Sequence, residues 1–187
     1  YNHANICRGT TSWRKPDGSV PINETRDFKN LDLMNDTIVN NINSIVKEDD
    51  ILIHLGDWSF GGFESIQKFR DRVICKNIHL IFGNHDHHIE NNRDEVQELF
   101  TSVSHYNTLK IGKIEIQLMH YPIDSWNNLR KGAMHLHGHC HLPNNKRLGK
   151  GKRIDAGIDG HLEFRPYHLM RELVPLLNKQ PILSLIH

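Results

Sequence analysis

The chain contains two short apolar runs that each end at a glycine, and this pattern constrains its fold most. Residues 50–55 precede Gly56, and residues 77–82 precede Gly83. Short apolar runs bounded by turn residues are typical of strands that are buried on both faces. Each glycine lets the chain turn sharply, so the next side chain stands at the end of a strand. The sequence therefore predicts two buried strands with polar residues at their carboxyl ends.

Helical patterns alternate with these strands. Apolar residues recur at helical spacing over 30–47, where Asn30 or Asp32 can cap the helix, and again over 64–73. Residues 94–100 are predicted to form a third, shorter helix. Alternating helices and strands favour a sheet of parallel strands joined by helical crossovers.

The second half of the chain predicts a second, more antiparallel sheet packed on the first. Alternating residues on both sides of Gly112 indicate a hairpin. The elements predicted here are strands over 103–111, 113–119, 133–137, 153–156 and 162–164, and a closing helix over 170–178 that Pro175 interrupts.

Four polar clusters share one placement, at or just beyond the carboxyl end of a predicted strand. They are Gly56-Asp57, Gly83-Asn84-His85-Asp86, His120-Tyr121-Pro122 and Gly138-His139-Cys140-His141. The strand ends of an open α/β sheet converge on a crevice where ligands bind. The clusters are therefore predicted to meet in one site, although they are remote along the chain.

The side chains of these clusters are metal ligands by type. The chain has 15 histidines, more than its seven Phe, four Tyr and three Trp together. Asp57 offers a carboxylate that can bridge two cations, Asn84 offers an amide oxygen, and the histidines offer imidazole nitrogens. Such mixed donors suit Mn, Fe, Zn, Ni or Co better than Ca, and the lack of thiolates argues against a structural zinc site. Cys140 is expected to face away, because adjacent side chains of an extended segment point oppositely.

In order and spacing, the clusters resemble the motifs of the calcineurin-like metallophosphoesterases. That family's pattern runs D-x-H, G-D, G-N-H-[D/E], H and G-H-x-H, and the four clusters match its last four parts. The resemblance extends from Ile6 to about Leu173. Within the family, the chain resembles a small bacterial or phage branch. It implies an α/β fold, a four-layer α/β/β/α sandwich in which helices flank two packed mixed β-sheets. It also implies a single metallophosphoesterase domain over residues 1–187.

The resemblance implies two divalent metal ions as cofactors. Asp57 would bridge both ions, and Asn84, His120 and His139 would complete one site. His141 would belong to the other site. Manganese is the first expectation, with iron, zinc, nickel or cobalt as alternatives.

His85 and Asp86 are the catalytic pair that the resemblance implies. His85 would contact the scissile phosphate and assist the leaving group, with Asp86 orienting it. Two metal ions about 3.5–4 Å apart can share a hydroxide at neutral pH, which is expected to attack phosphorus in line with the leaving oxygen. The sequence thus predicts hydrolysis of phosphomonoesters or phosphodiesters, with a protonated His85 donating to the leaving alkoxide.

The family's first motif, an Asp followed two residues later by a His, is absent. Residues 1–6 resemble the segment that follows this motif, so we expect an N-terminal strand to be missing from the chain. True loss is the alternative, and it would impair one metal site. His3 is expected near the site for the same reason, as a substrate-binding residue, and Arg130 is a second candidate for phosphate contact.

Composition limits the partners. A net charge of +1 with neutral histidines gives no bulk electrostatic case for nucleic-acid binding. The expected substrate is a small phosphate ester or nucleotide, and nucleic acid is not excluded. No stretch approaches the roughly 20 apolar residues of a membrane helix. With no secretory signal and no paired cysteine motif visible, a cytoplasmic protein is predicted, and its oligomeric state is left open.

Two alternative functions stay open. A catalytically impaired family member used as a protein-interaction scaffold would fit loss of the first motif, and a count of no metal or one metal per chain would favour it. The other alternative is a purely structural metal module, against which a fold that stays intact after metal removal would argue.

Overall fold

The computed structural model describes residues 1–92 and 95–183. Its elements in chain order are α1 (Leu31–Ile45), β1 (Ile51–His54), α2 (Phe63–Arg72), β2 (Asn77–Ile81), α3 (His87–Glu90), β3 (Ser102–Ser104), β4 (Tyr106–Ile111), β5 (Ile114–Met119), β6 (Met134–His137), β7 (Arg153–Asp155) and α4 (Val174–Asn178). Single 3₁₀ turns lie between several of these elements.

Strands β1, β2 and β3 form a parallel sheet in that order. Ile51 pairs with Asn77, and His79 pairs with Ser102. Helix α2 is the crossover between β1 and β2. Helix α1 begins at the cap Asn30, whose side chain accepts a hydrogen bond from the backbone N–H of Leu33 over 2.8 Å. The prediction of buried parallel strands with helical crossovers is confirmed.

Strands β4, β5, β6 and β7 form the second sheet in that order. β4 and β5 make the predicted hairpin, with Gly112 at a φ of +58° in its turn. β6 is parallel to both β5 and β7, so this sheet is mixed, and it is more antiparallel than the first sheet, as predicted, only through the hairpin. The connections over 120–133 and 138–152 are long enough for the crossovers that parallel neighbours require. One parallel and one mixed sheet, with helices, form an α/β sandwich.

Two segments that were predicted to lie in strands of the second sheet do not do so in the structure. Residues 162–164 form no strand but a turn, in which Leu162 is 88% exposed. Ser102–Ser104 does not extend the hairpin but pairs with β2 in the first sheet. In both cases the residues have a strand-like composition, but their surroundings decide whether they form a strand and in which sheet, because β propensity depends strongly on context.

Two predicted helices also differ. Part of the helix over 94–100 lies outside the described residues, and what is described there is the 3₁₀ turn Gln97–Leu99. The closing helix begins as a π-helical segment, Leu169–Leu173, which leads directly into α4. Pro175 lies in the first turn of α4, and because proline has no N–H, the i→i−5 hydrogen-bond series of the π-helical segment ends there. It therefore marks the start of the α-helical part.

Two apolar clusters hold the layers together. The first contains residues of the first sheet, such as Ile78 and Leu80, and residues of α1 and α2, such as Met34 and Phe69. The second joins Ile81 of the first sheet to residues from three strands of the second sheet and from α4; these are Ile116, Leu118, Met134, Leu136, Ile154, Val174 and Leu177. Within the described ranges, no helix has the length and apolar character needed to cross a membrane.

The other face of the second sheet is polar and yet buried. Gln117, His135, His137 and Asp155 lie on it and are at most 3% exposed. They alternate with the apolar residues of β5, β6 and β7, because successive side chains of a strand point to opposite faces. The ring of Trp126 lies 5.3 Å from that of His135 and covers part of this face.

Candidate metal centre

Asp57 stands on a sharp turn directly after β1. Its φ is +56°, and that of Gly56 is +97°, in a backbone region that is uncommon for residues other than glycine. A Cβ on Gly56 would meet the His120 ring and the backbone of Gly83. A Cβ on Gly83 would meet Asp57 in turn. The glycines after β1 and β2 thus let the two turns approach each other closely.

The buried carboxylate of Asp86 braces these turns. It accepts hydrogen bonds from the backbone N–H groups of Asp57, Trp58 and Gly83, each over 2.8 Å. Burial raises the pKa of Asp86, and these bonds oppose the rise. The backbone N–H of His85 donates to Asp57 Oδ1 over 2.9 Å. The described hydrogen bonds of Asp86 therefore hold the backbone, and none of them orients the ring of His85 as the resemblance implies.

His120 follows β5 directly and is 1% exposed. Its Nδ1 lies 2.6 Å from the carbonyl oxygen of Leu55. A carbonyl oxygen can only accept a hydrogen bond, so Nδ1 carries the proton and the neutral ring has its lone pair on Nε2. Histidines that bind metal ions are commonly fixed in this way by their other nitrogen.

Four of the five predicted metal ligands converge at Nε2 of His120. Asn84 Oδ1 lies 3.1 Å from this nitrogen, His139 Nδ1 lies 3.2 Å from it, and Asp57 Oδ2 lies 3.5 Å from it. The ligand atoms of Asp57, His120 and His139 all lie within 4.8 Å of one another. The structure therefore brings together side chains that follow β1, β2, β5 and β6.

The donor atoms of this cluster approach one another closely, an arrangement that a cation bound between them would stabilise. Burial and the neighbouring His120 lower the pKa of His139, so protonation of that ring is disfavoured. A carboxylate, an amide oxygen and two imidazoles are a donor set that suits divalent transition metals. Asp57, Asn84, His120 and His139 therefore fit one divalent ion.

His141, the fifth predicted ligand, lies beside this cluster. Its Nδ1 is 2.8 Å from Asp159 Oδ2, and Asp159 also pairs with Arg26, whose Nε and Nη2 lie 2.6 and 2.7 Å from its two oxygens. Burial opposes ionisation of Asp159, but Arg26 and His141 outweigh it and hold the pKa of this carboxyl far below its usual range. Because an ionised carboxylate only accepts, a neutral His141 keeps its lone pair on Nε2.

Other rings surround His141. The ring of His3 lies 5.8 Å from that of His141 and 6.3 Å from that of His85. Phe60 packs against both, at 3.9 Å from His3 and 4.4 Å from His85. Burial first, and then the nearby His141, lowers the pKa of His3 to about 4. His3 and His85 thus lie on the His141 side of the centre.

Arg130, the second predicted substrate contact, is exposed on the 3₁₀ turn Leu129–Lys131. It lines a cleft together with Ser125 and Trp126. None of the five predicted ligands lines that cleft. The structure therefore does not bring Arg130 together with the metal centre in the way that it brings His3.

Arg26 and Asp159 support the centre without having been predicted. Asp159 follows β7 much as the other polar clusters follow their strands, and this placement is the signal that could have identified it. Arg26 gives no such signal, because it precedes the first strand and its partner lies 133 residues away. Only the three-dimensional structure shows that Asp159 contacts both Arg26 and His141.

Comparison with known proteins agrees with this geometry. Residues 34–165 match the model of the calcineurin-like phosphoesterase superfamily domain. An uncharacterized protein of Methanocaldococcus jannaschii, MJ1445, is 30% identical over 141 residues, which are 75% of this chain and 64% of that protein. The chain thus spans less than two thirds of this relative's length.

The fold is shared with a solved structure. The crystal structure of AQ665, a protein of unknown function from Aquifex aeolicus, superposes with a TM-score of 0.55 at 19% identity, covering 86% of this chain and 91% of that one. This likeness concerns the fold alone. The family model, in contrast, covers most of the chain and includes all five predicted ligands. The chain therefore belongs to the calcineurin-like phosphoesterase superfamily.

Proposed function

We propose that this chain hydrolyses phosphomonoesters or phosphodiesters with two divalent metal ions, manganese being the first candidate. The observation that carries the proposal is the convergence of Asp57, Asn84 and His139 on Nε2 of His120. Ions bound here would supply an activated water and positive charge for the phosphate oxygens. The chain's own residues would hold the ions and position the ester.

The two proposed ion positions share Asp57. Asn84, His120 and His139 would hold one ion, and His141 would contribute to the other. The carboxylate of Asp57 would serve both ions: its Oδ2 lies 3.5 Å from Nε2 of His120, and its Oδ1 accepts from the backbone N–H of His85. Asp159 fixes the ring of His141, which leaves Nε2 as its nitrogen for an ion.

His85 is the proposed proton donor to the leaving oxygen. It is exposed, and its backbone is tied to Asp57. Its ring packs beside Phe60 at 4.4 Å, which limits the directions in which it can point. A histidine ring in such a position can donate a proton to a leaving oxygen. His3 is proposed to contact the substrate from the same side.

The proposed substrate is a small phosphate ester or nucleotide. Asn84, His85 and His139 are exposed, so an ester can reach the centre from solvent. All three cysteines are unpaired thiols, which supports a reducing compartment and hence a cytoplasmic site of action.

The test measures activity and metal content together. The full chain is stripped by a chelator, reloaded with Mn²⁺, Zn²⁺ or no metal, and assayed with a generic phosphomonoester and a generic phosphodiester. We expect at least two ions per chain, no turnover without metal, and a loss of about 10²–10⁴-fold in kcat for His85→Ala. His87→Ala, at an exposed position two residues on, is the matched control and should keep wild-type turnover.

The outcomes separate the alternatives. Turnover that survives complete chelation would contradict a metal-dependent reaction. Binding of no ion or one ion, without turnover on either ester, would favour the non-catalytic scaffold. Equal losses in His85→Ala and His87→Ala would show that His85 is not the proton donor.

A further inference from the structure

A second group of metal-ligand side chains lies apart from the proposed phosphoesterase centre. A ring nitrogen of His137, the sulfur of Cys140 and a carboxylate oxygen of Asp155 all lie within 4.8 Å of one another. None of the three belongs to the ligand set formed by Asp57, Asn84, His120, His139 and His141. The group therefore needs its own explanation.

The second sheet places these three side chains together. His137 and Asp155 are register partners on the neighbouring parallel strands β6 and β7, so their side chains project from the same polar face. The chain then turns back at His139 and His141, whose φ values are +67° and +51°. As a result His139 lies with Asp57, whereas Cys140 lies with His137 and Asp155. This turn thus contributes side chains to two clusters, which lie on opposite sides of it.

The surroundings of the group are those of an oriented ligand set. Nδ1 of His137 donates to the carbonyl oxygen of Gly138 over 2.9 Å, so the neutral ring has its lone pair on Nε2. The two oxygens of Asp155 accept from the backbone N–H groups of Gly157, over 2.8 Å, and Leu142, over 3.1 Å. Metal-binding histidines and carboxylates are typically held by such outer hydrogen bonds.

The charge of Asp155 is also unbalanced. Asp155 is 1% exposed, and the ion pairs found in the described part of the chain do not include it. Arg153 on the same strand pairs with Asp124 over 2.7 Å and with the carbonyl oxygen of Ile123 over 2.9 Å. A buried carboxylate without a cation is unfavourable. A metal ion beside Asp155 would offset that cost.

We propose that His137, Cys140 and Asp155 bind a further metal ion of the zinc type. Thiolate, imidazole and carboxylate are the three donor classes that zinc accepts in proteins. Donor atoms around a tetrahedral zinc ion lie about 3.5 Å apart, given bonds of about 2.0–2.3 Å, so these side chains, which lie within 4.8 Å of one another, need to close by at most about 1.3 Å. Cys140 is partly exposed and gives the ion a path of entry.

The ion would have a structural role for the neighbouring centre. It would fix the turn between β6 and residue 142, and this turn presents His139 and His141. Occupancy of the Cys140 site would therefore strengthen the binding of ions at the phosphoesterase centre, without contributing to the reaction itself.

Cobalt substitution tests this proposal directly. The full chain is stripped of metal under a non-chelating reductant, saturated with Co²⁺, and examined by absorption spectroscopy and metal analysis. A thiolate bound to Co²⁺ gives an intense charge-transfer band in the near ultraviolet, whereas imidazole and carboxylate ligands do not. We expect this band in the wild type, its loss together with one ion per chain in Cys140→Ala, and at least about tenfold weaker Co²⁺ binding in Asp155→Asn.

Two matched variants separate this site from other sources of the band. Cys75→Ala removes a buried thiol outside the group and should keep the band. Asp57→Asn alters the phosphoesterase centre, which has no thiolate, and should also keep it. Absence of the band in the saturated wild type, or its survival in Cys140→Ala, overturns the proposal. Circular dichroism of each variant confirms that the comparison is made between folded proteins.

Discussion

Asp159 accepts a hydrogen bond from Nδ1 of His141 over 2.8 Å. The same carboxylate pairs with Arg26, which is only 9% exposed. Asp159 therefore links a buried cation to a proposed metal ligand. A substitution of Asp159 should therefore have two measurable effects, one on the free energy of unfolding and one on metal affinity.

Asp159→Asn is expected to reduce both quantities. Loss of the carboxylate leaves Arg26 buried without its partner, which costs about 3–5 kcal/mol in the free energy of unfolding. It also releases the ring of His141, which should weaken metal binding about 10–100-fold. Urea unfolding of the metal-free protein measures the first effect, and Mn²⁺ titration of the folded variant measures the second.

The exposed pair between Arg153 and Asp124 is the control for Asp159→Asn. Asp124 has a side chain that is 93% exposed, so Asp124→Asn should change the free energy of unfolding by only about 0–1 kcal/mol. It should leave Mn²⁺ affinity unchanged. Equal effects of the two substitutions would contradict the role assigned to Asp159.

Asp86→Asn tests whether this carboxylate acts on the backbone. Its oxygens accept from three amides, and an Asn side chain offers only one acceptor oxygen. At least one buried N–H then loses its partner, which costs about 1–3 kcal/mol in the free energy of unfolding. Asp17→Asn, which removes an exposed carboxylate bonded to the backbone N–H of Ser19, should cost about 0.5 kcal/mol or less. A lower kcat for Asp86→Asn with unchanged unfolding would instead support a role in orienting His85.

Gly83→Ala should disrupt the metal centre through a single methyl group. A Cβ at Gly83 would overlap the carboxylate and backbone nitrogen of Asp57 and crowd the ring of His120. We expect loss of at least one bound ion per chain, measured by metal analysis of the folded variant. Gly62→Ala is the control, since a Cβ there meets nothing within 4 Å, and it should retain the full metal content. Full metal content in Gly83→Ala would show that the turns can separate without loss of the site.

The convergence of four predicted ligand side chains could be anticipated from the sequence because these residues follow a local rule. Asp57, Asn84, His120 and His139 each come directly after a strand, and parallel strands bring their carboxyl ends to one edge. The pairing of strands in the second sheet was harder to predict. Whether neighbours run parallel depends on where the crossovers over 120–133 and 138–152 pack, and composition does not encode that.

The supporting contacts could not be predicted either. Arg26 and Asp159 are joined across most of the chain, and the binding partners of Asp86 are backbone groups, which no side-chain pattern reveals. His137 and Asp155 share a face only because β6 and β7 are paired in a particular register. In each case the local sequence is compatible with several partners, and tertiary packing selects one.

His135 should make the metal-free protein less stable in mild acid. It is 0% exposed, with Nδ1 at 3.1 Å from the carbonyl oxygen of Gln117 and Nε2 at 3.3 Å from the backbone nitrogen of Ile123. Nδ1 therefore donates and Nε2 accepts, and a second ring proton would face the N–H of Ile123. Burial lowers the pKa of His135 to about 4, from the ordinary histidine value of 6.5.

The sign of the pH dependence follows from this difference in pKa. Between pH 6.5 and about 4 the unfolded chain binds a proton at position 135 that the folded chain does not. The free energy of unfolding therefore falls as the pH falls through this window, by up to about 1.4 kcal/mol per pH unit from His135 alone. In His135→Gln the side chain can still donate to Gln117 and accept from Ile123, but it cannot titrate. Urea unfolding in the presence of a chelator should show a shallower slope for the variant between pH 4.5 and 6 and parallel profiles above pH 7, whereas identical slopes throughout would exclude His135 as the source.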